Sequence, residues 1–124
     1  MREGYVSKNF TFREMTCKCG CGTRNVSKEA IRKLQALRDT LGAPVVINSA
    51  ARCARHNKDV GGAPKSRHLS SPTQESDAFD IALVGLTTSD KLINAALAVG
   101  FRGIGIAHTF IHVDDRPEFT HWTY

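Results

Sequence analysis

The sequence predicts an α+β domain in which a small, mainly antiparallel sheet carries two helices on one face. Two segments with helical periodicity, near residues 28–41 and 88–99, alternate with short runs of β-branched and aromatic residues. In those runs, polar and apolar side chains alternate, so one face of the sheet is polar. With 124 residues and 41% hydrophobic content, the chain suits one core, and we expect a single domain over residues 1–124.

The N-terminal part of the chain supplies a short first element and a long helix. Residues 9–15 place two phenylalanines at alternate positions, which predicts a short strand or a first turn packed on the core. Ser27 is a candidate N-cap for a helix over 28–41, and Gly42 is positioned to end it. An apolar stripe that faces the core along this helix consists of Ala30, Leu34, Leu37 and Leu41.

The middle of the chain alternates strand, loop and helix signals. The β-branched run at 45–49 indicates a strand, and the Gly-Gly-Ala-Pro cluster at 61–64 indicates a loop. Thr87 begins a predicted capping box for a second helix, which Gly100 ends. The one tryptophan, Trp122, is expected to cover the core.

Two strand segments carry the candidate metal ligands. In residues 77–83, alternation separates Asp80 from the apolar face, and in residues 110–114 it does the same for His112. The loop before the first strand adds His68. Each residue alone could be a surface group or a hydrogen-bonded histidine, but polar residues inside two apolar strands are costly to bury without a partner. Two nitrogens and one oxygen, with a fourth position for water, suit a catalytic zinc ion.

Composition limits the partners that the protein can have. The net charge of +5 favours acidic partners, either nucleic acid or the anionic polymers of a bacterial wall. The lysines and arginines are scattered and no RNA-binding aromatic pattern occurs, so composition gives little support to a nucleic-acid partner. No 18-residue apolar run and no signal-peptide pattern are present, so we expect cytoplasmic synthesis and no membrane partner.

Four cysteines are open to three interpretations. They could form a second metal site, hold a disulfide to the most distant of the four, or remain reduced thiols that only pack. Their Cys-x-Cys-x-Cys spacing is tighter than that of most zinc knuckles, so the sequence favours reduced thiols by a small margin. The residues are Cys17, Cys19, Cys21 and Cys53.

Several motifs, in their order along the chain, resemble the peptidase M15A family of zinc D,D-carboxypeptidases and phage murein endopeptidases. They are Gly-Gly-Ala-Pro-Lys-Ser-Arg-His-Leu at 61–69, Asp-Ala-Phe-Asp-Ile at 77–81, Gly-Ile-Gly at 103–105 and Phe-Ile-His-Val-Asp-Asp-Arg at 110–116. The resemblance extends upstream through residues 48–57. It implies the fold shared by Hedgehog-like domains and D-Ala-D-Ala peptidases, with one catalytic Zn²⁺ held by His68, Asp80 and His112.

The resemblance also implies roles for residues near the zinc ion. Arg52 matches an arginine that contacts a substrate carbonyl or carboxylate, a task that suits its planar fork. Ser66 matches a serine that orients the ligand-bearing loop at the substrate-binding side. Eleven residues, 69–79, separate His68 from Asp80, more than the family pattern Ser-x-His-x-x-Gly-x-Ala-x-Asp has. We expect the insertion at 69–75 to bulge outward as a mobile rim, because closing a longer loop costs little.

The general base departs from the family pattern. Thr109 stands where many members have an acidic residue, and a threonine hydroxyl cannot act as a base at neutral pH. Asp114 shares the strand face of His112 and lies about 7 Å further along the strand, so we predict that it takes this role. Two alternatives are His108 and Asp115.

The resemblance implies hydrolysis of a peptide bond that involves a D-amino acid in peptidoglycan, by a D,D-carboxypeptidase or an endopeptidase. The resemblance favours the peptidoglycan stem peptide as the partner, so we expect no nucleic-acid partner, and the protein is expected to be a monomer. The missing signal peptide favours a phage endolysin that a holin releases or a virion carries to the wall. Two other classes remain: a non-hydrolytic wall-binding or virion-associated zinc domain, and a structural zinc protein with four protein ligands.

Overall fold

Within residues 3–124, which the computed structural model of the protein describes, four helices and seven strands follow one another. The predicted α+β class is confirmed. In chain order the elements are β1 (Tyr5–Ser7), β2 (Phe10–Thr11), α1 (Phe12–Met15), α2 (Lys28–Leu41), β3 (Ile47–Ser49), α3 (Ala54–Asp59), β4 (Ala78–Ala82), α4 (Ser89–Val99), β5 (Gly103–Ile106), β6 (Phe110–Asp114) and β7 (Thr120–Thr123).

The larger sheet has five strands in the order β3-β4-β6-β5-β7. It is antiparallel except for the parallel pair of β5 and β7, and β1 pairs with β2 in a separate two-stranded sheet. β4 and β6 lie at its centre, with Asp80 directly opposite His112. The sequence analysis did not predict β5 or β7, because β5 is rich in glycine and β7 is a short, largely exposed edge strand.

The two long helices begin and end at local signals. The Ser27 hydroxyl accepts a hydrogen bond from the Ala30 amide, and Gly42 ends α2 in the left-handed conformation at a φ of 69°, as predicted. The capping box predicted for α4 is wrong. Thr88, not Thr87, is the N-cap, and its hydroxyl donates to the Asp90 carboxylate instead of accepting from the helix backbone.

The N-terminal segment contains both of the elements that its pattern allowed. Phe10 lies in β2 and is buried, and the chain then turns directly into α1. Thr11 and Glu14 form a capping box there, each side chain accepting a hydrogen bond from the other residue's backbone amide.

The core lies between the helices and the apolar face of the five-stranded sheet. α2 packs on α4, and α4 packs on β6. None of the helices in residues 3–124 has both the length and the apolar character needed to cross a membrane. The side chains that meet in this layer are Ala30, Leu34, Leu37, Leu92, Ala95 and Ala96 from the helices, with Phe79, Ile81, Ile104, Ile111 and Val113 from the strands.

Two glycines in β5 leave space on the opposite, polar face of the sheet. A Cβ atom at Gly103 would lie 2.0 Å from Oδ1 of Asp114, and one at Gly105 would lie 2.7 Å from the Trp122 ring. These separations are far below van der Waals contact, so a side chain at either position would displace its neighbour. The glycines therefore allow Asp114 and Trp122 to lie against β5.

Leu34→Ala is expected to lower the free energy of unfolding by about 2–5 kcal/mol, because it removes buried methyl groups and leaves a cavity. Leu34 is 0% exposed, whereas Leu86 is 87% exposed. Leu86→Ala removes the same atoms and is expected to change the free energy by less than about 0.5 kcal/mol. Urea denaturation followed by circular dichroism measures both, and equal losses would contradict the placement of Leu34 in the core.

Candidate functional site

Three donor atoms from two strands and one loop converge on the polar face of the sheet. Oδ1 of Asp80 lies 3.1 Å from Nε2 of His68 and 3.1 Å from Nδ1 of His112. All three side chains are buried, and the three atoms lie within 4.8 Å of one another. Ligand atoms that share a tetrahedral zinc ion at about 2.0–2.1 Å stand about 3.3–3.4 Å apart. The observed spacing therefore fits the ligand set of one metal ion.

Backbone pairing brings the three side chains together. The antiparallel register of β4 and β6 places Asp80 opposite His112, where facing side chains are close. The loop that carries His68 is fixed to the end of β3, since the Arg52 amide donates to the His68 carbonyl and the Ser70 amide donates to the Arg52 carbonyl. Backbone pairing thus brings together three residues that are far apart in sequence.

Each histidine is held by its other ring nitrogen. Nδ1 of His68 lies 2.7 Å from the Ala50 carbonyl oxygen, which can only accept, so this nitrogen carries the proton. Nε2 of His112 lies 2.7 Å from Oδ2 of Asp114 and donates to that carboxylate. The remaining nitrogen of each ring faces Asp80, where it donates to the carboxylate in the absence of a metal ion and would offer its lone pair to a bound ion. Metal-binding histidines are oriented by partners of this kind, so the donor set fits a metal ion.

The electrostatics of the cluster favour a cation at its centre. Burial alone would raise the pKa of Asp80, but the hydrogen bonds from His112 and His68 outweigh it and hold this pKa well below its usual range. For His112, burial would lower the pKa, but the hydrogen bonds to Asp114 and Asp80 outweigh it and raise the pKa. The two carboxylates thus stay ionised and stabilise positive charge between the histidines.

Asp114 is not placed to act as the predicted general base, and that prediction is corrected. Its side chain is 0% exposed and does not line the cleft. Both carboxylate oxygens are occupied, because Arg116 donates to Oδ1 at 2.8 Å and to Oδ2 at 2.7 Å, and His112 also contacts Oδ2. Burial would raise the pKa of Asp114, but Arg116 and His112 hold it well below the usual range. In the structure, Asp114 instead holds the His112 ring through this hydrogen bond.

The two alternative bases also lie outside the cleft. Asp115 pairs with Lys33 of α2, and His108 is an exposed loop residue beside Thr109. The three candidate bases, Asp114, Asp115 and His108, thus do not line the cleft. Among the described residues, Asp80 is the one carboxylate in the cleft wall.

Arg52 lies where the resemblance implied, in the wall of the cleft. One Nη2 hydrogen bond, 3.0 Å long, goes to Oδ2 of Asp80, which leaves Oδ1 of that carboxylate for the metal cluster. The same guanidinium donates from Nε to Ser49 and from Nη1 to Asn57. These bonds use three of its five N–H groups, so two remain for a substrate oxygen. Contact between Arg52 and substrate stays a prediction.

Ser66 is hydrogen-bonded within the His68 loop, where the resemblance implied an orienting serine. Its hydroxyl accepts a hydrogen bond of 3.2 Å from the His68 amide, and its own amide donates to the Ala63 carbonyl. Ser66 also lines the cleft, and its contact with substrate stays a prediction.

The insertion at 69–75 lies away from the cleft, which differs from the expected rim. No residue of the insertion lines the cleft. The Ser70 hydroxyl donates to the Asn25 carbonyl, and the Asn25 side chain donates to the Ser71 carbonyl. The segment is therefore hydrogen-bonded to the chain that precedes α2.

The cleft has a volume of about 490 Å³ and a strongly basic wall. Trp122, expected to cover the core, lines this cleft instead, with its ring centroid 5.1 Å from that of His112. The sequence analysis missed the C-terminal part of this wall, because β7 gave no strand signal. Besides Arg52, the wall contains the cations Lys65, Arg67 and Arg116 and the aromatic residues Phe110, Trp122 and Tyr124.

The structure also gathers the four cysteines into one group, apart from the cleft. Their sulfur atoms all lie within 4.8 Å of one another, and none of the four lines the cleft. All four thiols are free, so the predicted alternative of a disulfide to Cys53 is not formed in this structure.

Comparison with protein families identifies the chain. A comparison with curated proteins gives no match. A family model described as peptidase M15 matches residues 8–114, which include the three candidate metal ligands and Arg52. Because this match covers most of the sequence, the chain belongs to the peptidase M15 family.

Proposed function

We propose that this protein is a zinc-dependent peptidase that cuts a peptide bond involving a D-amino acid in the stem peptide of peptidoglycan. The observation that carries the proposal is the convergence of His68, Asp80 and His112 in the cleft of a chain from a peptidase family. Delivery to the wall by a holin or on a virion, and action as a monomer, belong to the same proposal.

The donor set supports zinc as the metal. Two imidazole nitrogens and one carboxylate oxygen suit zinc, and three protein ligands leave a position open, as in catalytic sites. When bound there, zinc polarises a carbonyl oxygen and lowers the pKa of water toward neutrality. A fourth protein ligand, which a structural site would need, is not among the described residues that form the cluster.

The surrounding residues keep this arrangement rigid. The Ala50 carbonyl and the Asp114 carboxylate hold the two imidazoles, and Arg52 holds the second oxygen of Asp80. The remaining N–H groups of Arg52 are available to a substrate carbonyl oxygen, on which negative charge develops during acyl transfer. Such fixed donors need no reorganisation when the charge appears.

The charge of the cleft supports a substrate that carries carboxylates, as stem peptides do. Arg67 and Arg116 are partnered by Asp77 and Asp114 respectively. Lys65 is exposed at the cleft, and it forms no ion pair with the described part of the chain. Lys65 is therefore the cation best placed to contact a free carboxylate of the substrate.

A second candidate function is a zinc domain that binds the wall without cutting it. It is favoured by one observation: Asp80, a proposed ligand, is the one carboxylate among the described residues that line the cleft. Incubation of the protein with defined muropeptides, with and without a chelator, separates the two functions. Mass analysis that finds cleavage products, lost with chelator and restored by zinc, supports the peptidase, whereas binding without products supports the second function.

Loss of one histidine should remove the metal from the cleft. His68→Ala and His112→Ala are each expected to lower the zinc content by one ion per chain, because two protein ligands hold zinc far more weakly than three. Elemental analysis after dialysis against a weak chelator measures this. His108→Ala is the matched control, since it removes an exposed imidazole outside the cleft and should keep the wild-type content. Wild-type zinc in both ligand variants would exclude the assignment.

Asp114→Asn should weaken zinc binding by about 10–100-fold, because His112 loses the carboxylate that orients it and raises its basicity. Competition with a chromogenic chelator measures the affinity, and circular dichroism checks that the variant is folded. Asp115→Asn is the control, since that neighbouring carboxylate pairs with Lys33 instead. Unchanged zinc affinity together with a large loss of turnover would restore Asp114 as a general base.

Lys65→Gln is expected to raise KM about fivefold for a stem peptide with a free C-terminal carboxylate, the scale of one exposed ion pair. Lys65→Arg should keep most of the affinity because it keeps the charge. The same peptide with an amidated C-terminus should show no difference between the wild type and Lys65→Gln. An equal rise in KM for both peptides would show that Lys65 does not contact the carboxylate.

A further inference from the structure

Four cysteines from two separate segments meet next to the N-terminus of α3. The sulfur of Cys17 lies 3.5 Å from that of Cys19 and 3.9 Å from that of Cys53, and the last two lie 3.7 Å apart. Cys21 completes the group, whose sulfur atoms all lie within 4.8 Å of one another. Sulfur atoms around a tetrahedral zinc ion, at about 2.3 Å from it, stand about 3.8 Å apart. The three observed separations lie on both sides of this value.

The other two interpretations of the cysteines fit this geometry less well. A disulfide needs sulfur atoms about 2.05 Å apart, and the observed distances are nearly twice that. Packing alone would suit buried thiols, because a free cysteine behaves as a small hydrophobic residue. Cys17 is buried, but Cys21 is exposed and gains nothing from packing. A shared ligand accounts for both residues.

The backbone explains how such a tight spacing can serve one ion. The Cys17 amide donates to the Thr23 carbonyl at 2.7 Å, which closes the segment into a loop. Gly20 and Gly22 adopt left-handed φ values of 87° and 86°, which residues with a Cβ atom rarely adopt. The chain therefore turns sharply after Cys19 and again after Cys21. These turns let alternate residues point toward one centre.

Two further contacts offset the negative charge that several thiolates would carry. The sulfur of Cys53 accepts a hydrogen bond of 3.4 Å from the His56 amide in the first turn of α3. The Arg55 guanidinium lies near Cys19 and Cys53, so its positive charge attracts thiolates at these positions. Both contacts place donors next to sulfur atoms, as a cluster of thiolates requires.

We propose that Cys17, Cys19, Cys21 and Cys53 bind a second zinc ion in a closed, structural site. With four thiolate ligands this site has no open position for water, in contrast to the cleft. Each thiol releases its proton to solvent when the ion binds. The ion would connect the loop at 17–22 to the segment that contains Arg52, the residue directly before Cys53.

The first test counts metal in the whole chain, purified under reducing conditions. Elemental analysis should find two zinc ions per chain in the wild type and one in Cys17→Ser or Cys53→Ser. Lys18→Ala is the matched control, because it changes an exposed residue of the same loop that has no sulfur, and it should keep two ions. Because His68→Ala removes only the cleft ion, failure of the cleft site and failure of the cysteine site give different patterns.

A second test identifies the ligand atoms through cobalt. Co²⁺ bound to the apoprotein should give the near-ultraviolet thiolate-to-metal charge-transfer band of a thiolate-rich site. This band should persist in His68→Ala and be absent in Cys17→Ser. Cys21→Ser keeps the test informative if the buried variants do not fold, since Cys21 is exposed. The metal affinity of Cys21→Ser should be at least about a hundredfold lower than that of the wild type. Loss of a residue that only orients a ligand already lowers metal affinity by about 10–100-fold, and Cys21 would be a ligand itself.

The proposal is overturned by any of three results. The first is a folded, reduced wild-type protein that gives no thiolate-to-cobalt band. The second is a disulfide in protein kept under reducing conditions, detected as a protein mass lowered by the hydrogens lost from the thiols. The third is a metal affinity in Cys21→Ser equal to that of the wild type.

Discussion

The buried carboxylate of Asp80 is the constraint on which the site depends. An ionised carboxylate inside a sheet is costly unless all of its oxygen atoms are partnered. Here the pairing of β4 with β6 brings His112 to one side of Oδ1, and the His68 loop brings a second imidazole to the other. Arg52 takes Oδ2. The strand register, the loop and the arginine therefore have to be correct together before these groups can hold a cation.

Residues behind the three candidate ligands hold this arrangement in place. The glycines of β5 leave an open strip beside β6, and Asp114 and Trp122 occupy it. Asp114 is fully buried between the imidazole of His112 and the guanidinium of Arg116, so its charge is neutralised without contact with solvent. Arg116 also lies over the Trp122 ring at 4.9 Å. The wall of the cleft is thus connected to the candidate metal ligand His112 through contacts of Trp122, Arg116 and Asp114.

Two adjacent residues of the chain, Arg52 and Cys53, connect the two candidate metal sites. Arg52 reaches into the cleft, while the next residue, Cys53, faces the thiol group. On our proposals, the open nitrogen and oxygen site performs chemistry, and the closed sulfur site holds the backbone from which Arg52 extends. The Ala51 amide, bonded to the Met15 carbonyl, ties the same junction to the N-terminal segment. Rigid support of this kind is what a preorganised site needs.

The sequence by itself determined the features that depend on neighbours in the chain. The ends of α2 follow from Ser27 and Gly42, and the α+β class and the three converging side chains follow from periodicity and motif order. Only the tertiary structure decided what depends on strand partners. Asp114 lies two residues from His112, and this separation suits a general base and a group that orients His112 equally well. The burial of Asp114 beside Arg116 favours the orienting group. The place of Trp122 and the distances among the thiols were likewise decided by which segments pair, because side chains far apart in sequence meet only after the sheet has formed.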